Sequence, residues 1–407
     1  MTAADAIEVV GEDFFTDPHT YHERWRAGGP VHRVLLPEGW AGWVIIGYSE
    51  ARAALSDPRL SRSPALIKDA VEAKGGTAYV GDANNILTAH MLASDPPDHT
   101  RLRHLVSKEF TSRRIAALRP RIEQITAGLV DAMASRADEP IDLIEEFAFP
   151  LPVSVICELL GVPYADRDRF RAWSHTLVGG PGTIEDRQAA GFAMATFLQE
   201  LIAAKRANPG SDLLSALAVQ SDGDRLTELE LLSMAFLLLV AGHETTVNLI
   251  ANGTYALLRD RDRYAELLSA PAAHASAAVE ELLRHSGPVN WALTRVTTAP
   301  LTIGDKEIPA GEIVFIALSA ANRDPDRFAS PAIVEIDRDT GGHLAFGHGI
   351  HYCLGAPLAR LEGQIAFTAL LERFPDITLA EPAFEPQWRP GFLIHGMENL
   401  PVRLTKR

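Results

Sequence analysis

The sequence predicts a mainly α-helical fold with small β-sheets, and three observations point there. Long stretches between Asp98 and Arg259 repeat apolar residues at helical spacing. Short β-branched runs bounded by glycine or proline lie near the start and in the C-terminal third. No internal repeat, heptad array or linker rich in Pro, Gly or Ser divides the chain, so its 407 residues are expected to form one domain, 1–407.

Taken in order, Trp43-Val44-Ile45-Ile46-Gly47, bounded by Gly42 and Gly47, reads as a strand with Val31–Leu36 as its partner. Helical spacing covers Asp98–Phe110, Ala116–Ala137, Ser154–Leu160, Gln188–Ala207 and Thr227–Arg259, then Ser276–His285. Leu301–Ile303, Glu307-Ile308 and Ile313–Leu318 are short strands, broken at Gly304-Asp305 and Pro309-Ala310-Gly311. A last helix starts near Ala356 or Pro357, where proline costs no amide donor, and runs to about Phe374. Ser63–Ser94 and Gly179-Gly180-Pro181-Gly182 read as long irregular connections, candidate gates to a binding site.

Composition excludes several classes. Hydrophobic residues make up 47% and charged residues 22%, which suits a globular protein with a sizeable core. A net charge of −15 argues against nucleic acid, whose phosphates need excess Lys and Arg. The most apolar run, Met234–Ala241, falls short of the roughly 20 residues that cross a bilayer. Met1–Pro18 carries Asp5, Glu8, Glu12 and Asp13 and lacks a signal peptide's basic start, so a cytoplasmic protein is expected. Two cysteines make no disulfide framework and suit a reducing compartment. Cys157 sits in an apolar segment and reads as a buried inert thiol.

Cys353 differs. In Phe346-Gly347-His348-Gly349-Ile350-His351-Tyr352-Cys353-Leu354-Gly355, three glycines let the backbone approach a flat ligand. A sulfur just before a helix meets free amide hydrogens and a positive partial charge, which favour the thiolate. An ordinary glycine-rich turn, or a zinc site from His343, His348, His351 and Cys353, also suits these residues.

Phe346, Gly349, Cys353 and Gly355 match the Phe-x-x-Gly-x-x-x-Cys-x-Gly pattern of the cytochrome P450 family, which the chain resembles from about Asp13 to its C-terminus. The resemblance implies the family's fold enclosing a haem b, with Cys353 as the iron's thiolate ligand. Leu237–Thr246 is an all-apolar helix interrupted by small residues, an acid and two threonines, a broken local rule that points to function. It resembles the family's oxygen-binding motif, implying that Ala241 and Gly242 leave room for O₂, Thr245 hydrogen-bonds it and Glu244 helps relay protons. Glu244 stands where the family often has Asp.

His99 and Arg103 are four apart and project from one helix face, where one anion would bridge them. By resemblance, His99, Arg103, Arg295 and His351 hold the haem propionates. Glu281 and Arg284, three apart, match the family's Glu-x-x-Arg element, and Arg327 is implied to complete their ion network. The implied pocket wall is Met91, Leu92, Phe236, Leu237, Val240, Val289, Trp291, Ala292, Leu393 and Ile394, with Asn290 as a polar contact.

No Gly-x-Gly-x-x-Gly fingerprint is present, so electrons are expected from outside, by resemblance from NAD(P)H through a ferredoxin reductase and a ferredoxin. His104, Lys108, Arg113, Arg114 and Arg360 are candidates for a basic docking patch. The expected activity is insertion of one oxygen atom of O₂ into an apolar polyketide- or macrolide-type molecule. A steroid or terpenoid hydroxylase and a peroxygenase of the same fold are the alternatives, and a non-catalytic haem sensor is the rival from another class.

Overall fold

The computed structural model describes residues 7–76, 87–136, 139–177, 183–219 and 225–405. The Gly179-Gly180-Pro181-Gly182 connection lies outside them. The architecture is mainly helical with small sheets.

Its axis is the helix Glu228–Arg259. A capping box starts it: Glu230 N–H donates to Thr227 Oγ1 at 3.2 Å, and Thr227 N–H donates to Glu230 Oε2 at 2.8 Å. The first half packs in one apolar cluster with Val153, Ile156, Met194 and Leu198. The second half, from Val247, packs in another with Val279, Leu282, Ile365 and Phe367. Its most apolar 18-residue window would satisfy a bilayer by composition, but 72% of that window is buried, so the helix serves the core. Cys157 is fully buried in the first cluster. The last helix, Ala356–Arg373, has Pro357 in its first turn and packs against Pro271–Ser286 and Ser112–Ser135.

Strands from both regions join one six-stranded sheet, while Leu301–Ile303 and Lys306–Ile308 pair in a separate two-stranded one. The order of the six is Glu8–Val9, Val31–Leu35, Ala41–Ile45, Ile313–Ile316, Arg295–Thr297, Leu60–Ser61. Ala41–Ile45 pairs antiparallel with Val31–Leu35 and parallel with Ile313–Ile316, Trp43 opposite Val314. Gly42 is inside the strand rather than at its boundary, because a Cβ there would stand 2.8 Å from both Ile313 O and the Phe315 ring. Gly47 instead caps the helix Tyr48–Ser56.

Other boundaries move for local reasons. The strand expected over Ile313–Leu318 ends at Ile316, and Leu318–Ala321 turns helical. Ser63–Ser94 is not wholly irregular, since it holds a helix at Pro64–Glu72 and a 3₁₀ turn at Met91–Ala93. Periodicity also misses the helices Pro18–Arg26 and Arg167–Leu177, and the sheet in which Pro401–Thr405 pairs with Asp376–Leu379 and Ile141–Asp142.

Candidate active site

The loop before the last helix folds on itself around Cys353. Cys353 N–H donates to Phe346 O at 2.9 Å, Gly347 N–H to Leu344 O at 2.8 Å and Tyr352 N–H to Gly349 O at 3.1 Å. Gly349 has φ +74, and a Cβ there would lie 2.9 Å from Leu55 O, so only glycine fits. Phe346 packs under the Arg360 guanidinium at 4.4 Å, and a side chain on Gly355 would stand 3.9 Å from Cys353 Sγ.

Cys353 is exposed towards one side and crowded on the others. Burial pushes its thiol up, against the opposing pull of the Gly355 amide, Arg103, the Ala356 amide and Arg360. The amides at the helix start favour the thiolate, as expected, but burial outweighs them. Amides and arginines lessen the cost of the charge, and a cation bound at the sulfur must supply the rest.

The zinc alternative fails on geometry. His343 Nδ1 accepts from Ala345 N–H at 3.2 Å, so its Nε2 carries the hydrogen and donates to Glu280 at 3.0 Å. Both nitrogens are engaged. Among the described residues no group of three or more His, Cys, Asp or Glu side chains is placed to hold a metal ion.

Four predicted propionate partners come together, with a fifth that the sequence did not reveal. The rings of His99 and His351 lie 4.4 Å apart, and Arg103 donates to Tyr352 O at 2.7 Å beside the cysteine. Arg295 is buried, as is Arg62, which donates to Leu92 O at 3.2 Å and also to Thr294 O. Burial, then the charges of His99, Arg295, Arg62 and Arg103, push His351 down to about 3. Burial and Arg295 push Arg62 down to about 9, with Asp95 opposing. His99 Nε2 and Arg295 Nε are buried without a partner. Crowded cations with orphaned donors fit a dianion, and with Cys353 they fit a haem bearing two propionates.

On the long helix, Phe236, Val240, Ala241 and Thr245 keep accessible surface, with Ala241 and Thr245 one turn apart on one side. Thr245 Oγ1 donates to Ala241 O at 3.0 Å. Glu244 is 5% exposed, and its Oε2 lies 3.4 Å from Arg389 Nη1. Burial pushes its carboxyl up, but the hydrogen bond and charge of His243, then Arg389 and His175, hold it below the usual range.

Gly242 has a packing task as well. A Cβ there would stand 2.6 Å from Ile156 Cδ1 and 2.8 Å from Cγ1, so the missing side chain lets Pro150–Leu160 approach. Gly242→Ala is expected to destabilise the protein by about 1–3 kcal/mol, despite the roughly 1 kcal/mol that alanine gains over glycine in a helix interior. A thermal-unfolding midpoint at or above wild type would refute the packing role.

The wall candidates divide. Leu92, Phe236, Val240, Val289, Ala292 and Ile394 are half-buried and Leu393 is exposed, so their surfaces remain free for contact. Met91 and Leu237 are buried in the cluster of Ile156 and belong to the core. Trp291 is 1% exposed, packed among Phe14, Phe315 and Phe392, and is corrected to core as well. Asn290 is not a free polar contact, because its Oδ1 accepts from Ser319 Oγ in the interior.

Behind the cysteine loop, Arg284 meets Glu281 through two bonds of 2.7 Å, both side chains fully buried. Arg284 also donates to Asn322 O, Pro331 O and Ile333 O. The third ionic member is Arg338, whose Nε is 3.1 Å from Glu281 Oε1, and not Arg327. Arg327 stacks over Phe328 at 4.8 Å and donates to Gly341 O, because Asp324-Pro325-Asp326 turns it outwards.

The expected basic patch also shrinks. Arg360 is spent on Glu280 and Arg114 on Glu109, leaving His104, Lys108 and Arg113 exposed.

Comparison with known proteins reaches the same residues. A sequence profile described as Cytochrome P450 matches residues 274–394, which hold Glu281, Arg284 and Cys353. The chain is 50% identical over 399 residues to the cytochrome P450 monooxygenase PikC of Streptomyces venezuelae, covering 98% of this chain and 93% of that protein. It is 44% identical over 410 residues to 6-deoxyerythronolide B hydroxylase of Saccharopolyspora erythraea, covering 99% and 100%. The solved structure of the tirandamycin C-bound P450 monooxygenase TamI matches with a TM-score of 0.89 at 47% identity, over 98% of this chain and 100% of that one.

Proposed function

The chain belongs to the cytochrome P450 family and is a haem-iron monooxygenase, and from that premise we propose that it hydroxylates or epoxidises an apolar polyketide- or macrolide-type natural product. The observation that carries the reading is an accessible Cys353 in the loop before the last helix together with accessible Val240, Ala241 and Thr245 on the long apolar helix. Two similar proteins support the substrate class, one a 6-deoxyerythronolide B hydroxylase and one binding tirandamycin C.

In this reading Cys353 holds the iron of haem b, while His99, Arg103, Arg295 and His351, with Arg62 behind them, hold its propionates. Haem so held supplies dioxygen activation: one oxygen atom enters the substrate and the other leaves as water, at the expense of two electrons and two protons. Ala241 leaves space on the helix face. Thr245 releases its bond to Ala241 O and donates into the cleft, and Glu244, ionised in the interior, takes up and passes on protons. Phe236, Val240, Val289, Ala292, Leu393 and Ile394 exclude water and hold the substrate by apolar contact.

Electrons come from a separate redox protein. We assign that role to a ferredoxin, reduced by its reductase from NAD(P)H in the cytoplasm, with an acidic face for His104, Lys108 and Arg113.

Thr245→Ala is expected to lower product formed per NADPH consumed several-fold while NADPH oxidation continues. An unchanged ratio would remove Thr245 from the proton path. A panel of macrolactones, linear polyketides, steroids and terpenoids, scored by the shift of the Soret band and by a product one oxygen heavier, tests the substrate class. Response to steroids or terpenoids alone would overturn it.

A further inference from the structure

The carboxylate of Glu244 has a partner outside its own helix and outside the cysteine loop. Arg389, 145 residues further on, places Nη1 3.4 Å from Glu244 Oε2, and its Nη2 donates to Asn248 Oδ1 at 3.0 Å. Glu244 and Arg389 side chains are only 6% and 12% exposed, so little water screens the pair. Asn248, one turn beyond, donates to Glu244 O at 2.7 Å and closes the arrangement.

The other ionisable groups facing Glu244 are imidazoles. His243 Nε2 lies 3.6 Å from Glu244 Oε1, and His175 comes from Arg167–Leu177. His243 is already engaged by Leu239 O at 2.8 Å and Ser174 Oγ at 2.7 Å. A guanidinium stays charged throughout the working pH range. Arg389 is thus the permanent cation at this carboxylate.

Its place is fixed by the backbone. Trp388 bridges to Met397, Arg389 N–H donates to Gly396 O at 2.8 Å and Trp388 stacks on His395 at 3.9 Å. A side chain on Gly396 would fall on Asn248 and Arg389. The far end of the same segment runs beside the wall candidates, with Ile394 bridging to Val289 and Asn290 N–H donating to Leu393 O at 2.9 Å.

We propose that Arg389 is the positioning residue of the proton path: from the C-terminal segment it holds Glu244 ionised and turned towards Asn248, and so sets the pH at which Glu244 takes up a proton. The proposal rests on reading Glu244 as the relay acid. Burial alone would push this carboxyl up, and the hydrogen bond and charge of His243, then the charges of Arg389 and His175, bring its protonation below the ordinary carboxylate range. Without Arg389 that protonation moves to higher pH.

The test uses the holoenzyme with Arg389→Gln, Arg389→Lys, Glu244→Gln and the Arg389→Gln/Glu244→Gln double variant. Infrared difference spectra of the ferric, substrate-free enzyme follow the protonated-carboxyl band that Glu244→Gln removes. Arg389→Gln is expected to raise the midpoint of that band by about one pH unit or more, with Arg389→Lys close to wild type. Product per NADPH should fall several-fold in Arg389→Gln, recover in Arg389→Lys and fall no further in the double variant than in Glu244→Gln. An unmoved midpoint in Arg389→Gln overturns the proposal. So does a loss of coupling that Lys does not rescue and that adds to the loss in Glu244→Gln. Unchanged coupling in Glu244→Gln itself would instead sink the relay reading, and the infrared midpoint would still decide whether Arg389 sets the charge.

Discussion

Cys353→Ser is expected to erase the thiolate signature from the ferrous-CO spectrum and to end product formation. The loss should exceed the 10–100-fold typical of removing a residue that only supports a metal ligand, because the alcohol of serine is a far weaker acid and cannot donate charge to the iron as a thiolate does. Haem itself should remain bound, since the substitution leaves His99, Arg103, Arg295, His351 and the apolar wall candidates in place. Retained haem with lost activity thus separates ligand loss from unfolding. Cys157→Ala is the control: that thiol is fully buried in an apolar cluster, so the spectrum should not change. A normal ferrous-CO band in Cys353→Ser would refute the assignment.

The second large effect is structural. Glu281→Ala leaves the Arg284 guanidinium buried without its counter-charge, and breaking such a pair costs about 3–5 kcal/mol. Little water can enter to compensate, because both side chains are fully buried. Arg284→Ala should cost as much, since three main-chain carbonyls lose their donor along with the carboxylate. The damage should reach the haem, because the carbonyls of Pro331 and Ile333 belong to the meander that leads to the cysteine loop. Arg338→Ala should be intermediate. Arg327→Ala should cost no more than about 1 kcal/mol, the worth of a partly exposed cation over a ring. Urea unfolding of the holoenzymes, followed at the Soret band, ranks the four; a larger loss in Arg327→Ala than in Arg338→Ala would reverse the assignment.

Gly42 and Gly242 mark a limit of reading glycine from sequence. One reads as a strand boundary and the other as space for a ligand, yet each is a place where a neighbouring element comes within 3 Å of a Cβ that is not there. Trp291 and Asn290 mark another limit. Their neighbours Val289 and Ala292 keep accessible surface, while the aromatic cluster of Phe14, Phe315 and Phe392 draws Trp291 inwards. Arg62, Arg338 and Arg389 carry no local signal, because an arginine looks the same in sequence whether it meets solvent or a buried acid.

By itself the sequence determined the helical class, the glycine-lined cysteine loop before the last long helix, and an acid and a threonine inside an apolar helix. Periodicity, caps and tight turns depend on residues a few positions apart, so they can be read directly. Only the tertiary structure decided that Arg338 and not Arg327 reaches Glu281, that Gly242 receives Ile156, and that Arg389 holds Glu244. Those partners lie between 57 and 145 residues apart. Which charge meets which across such distances depends on how whole helices and the sheet pack, and burial then decides how much each meeting is worth.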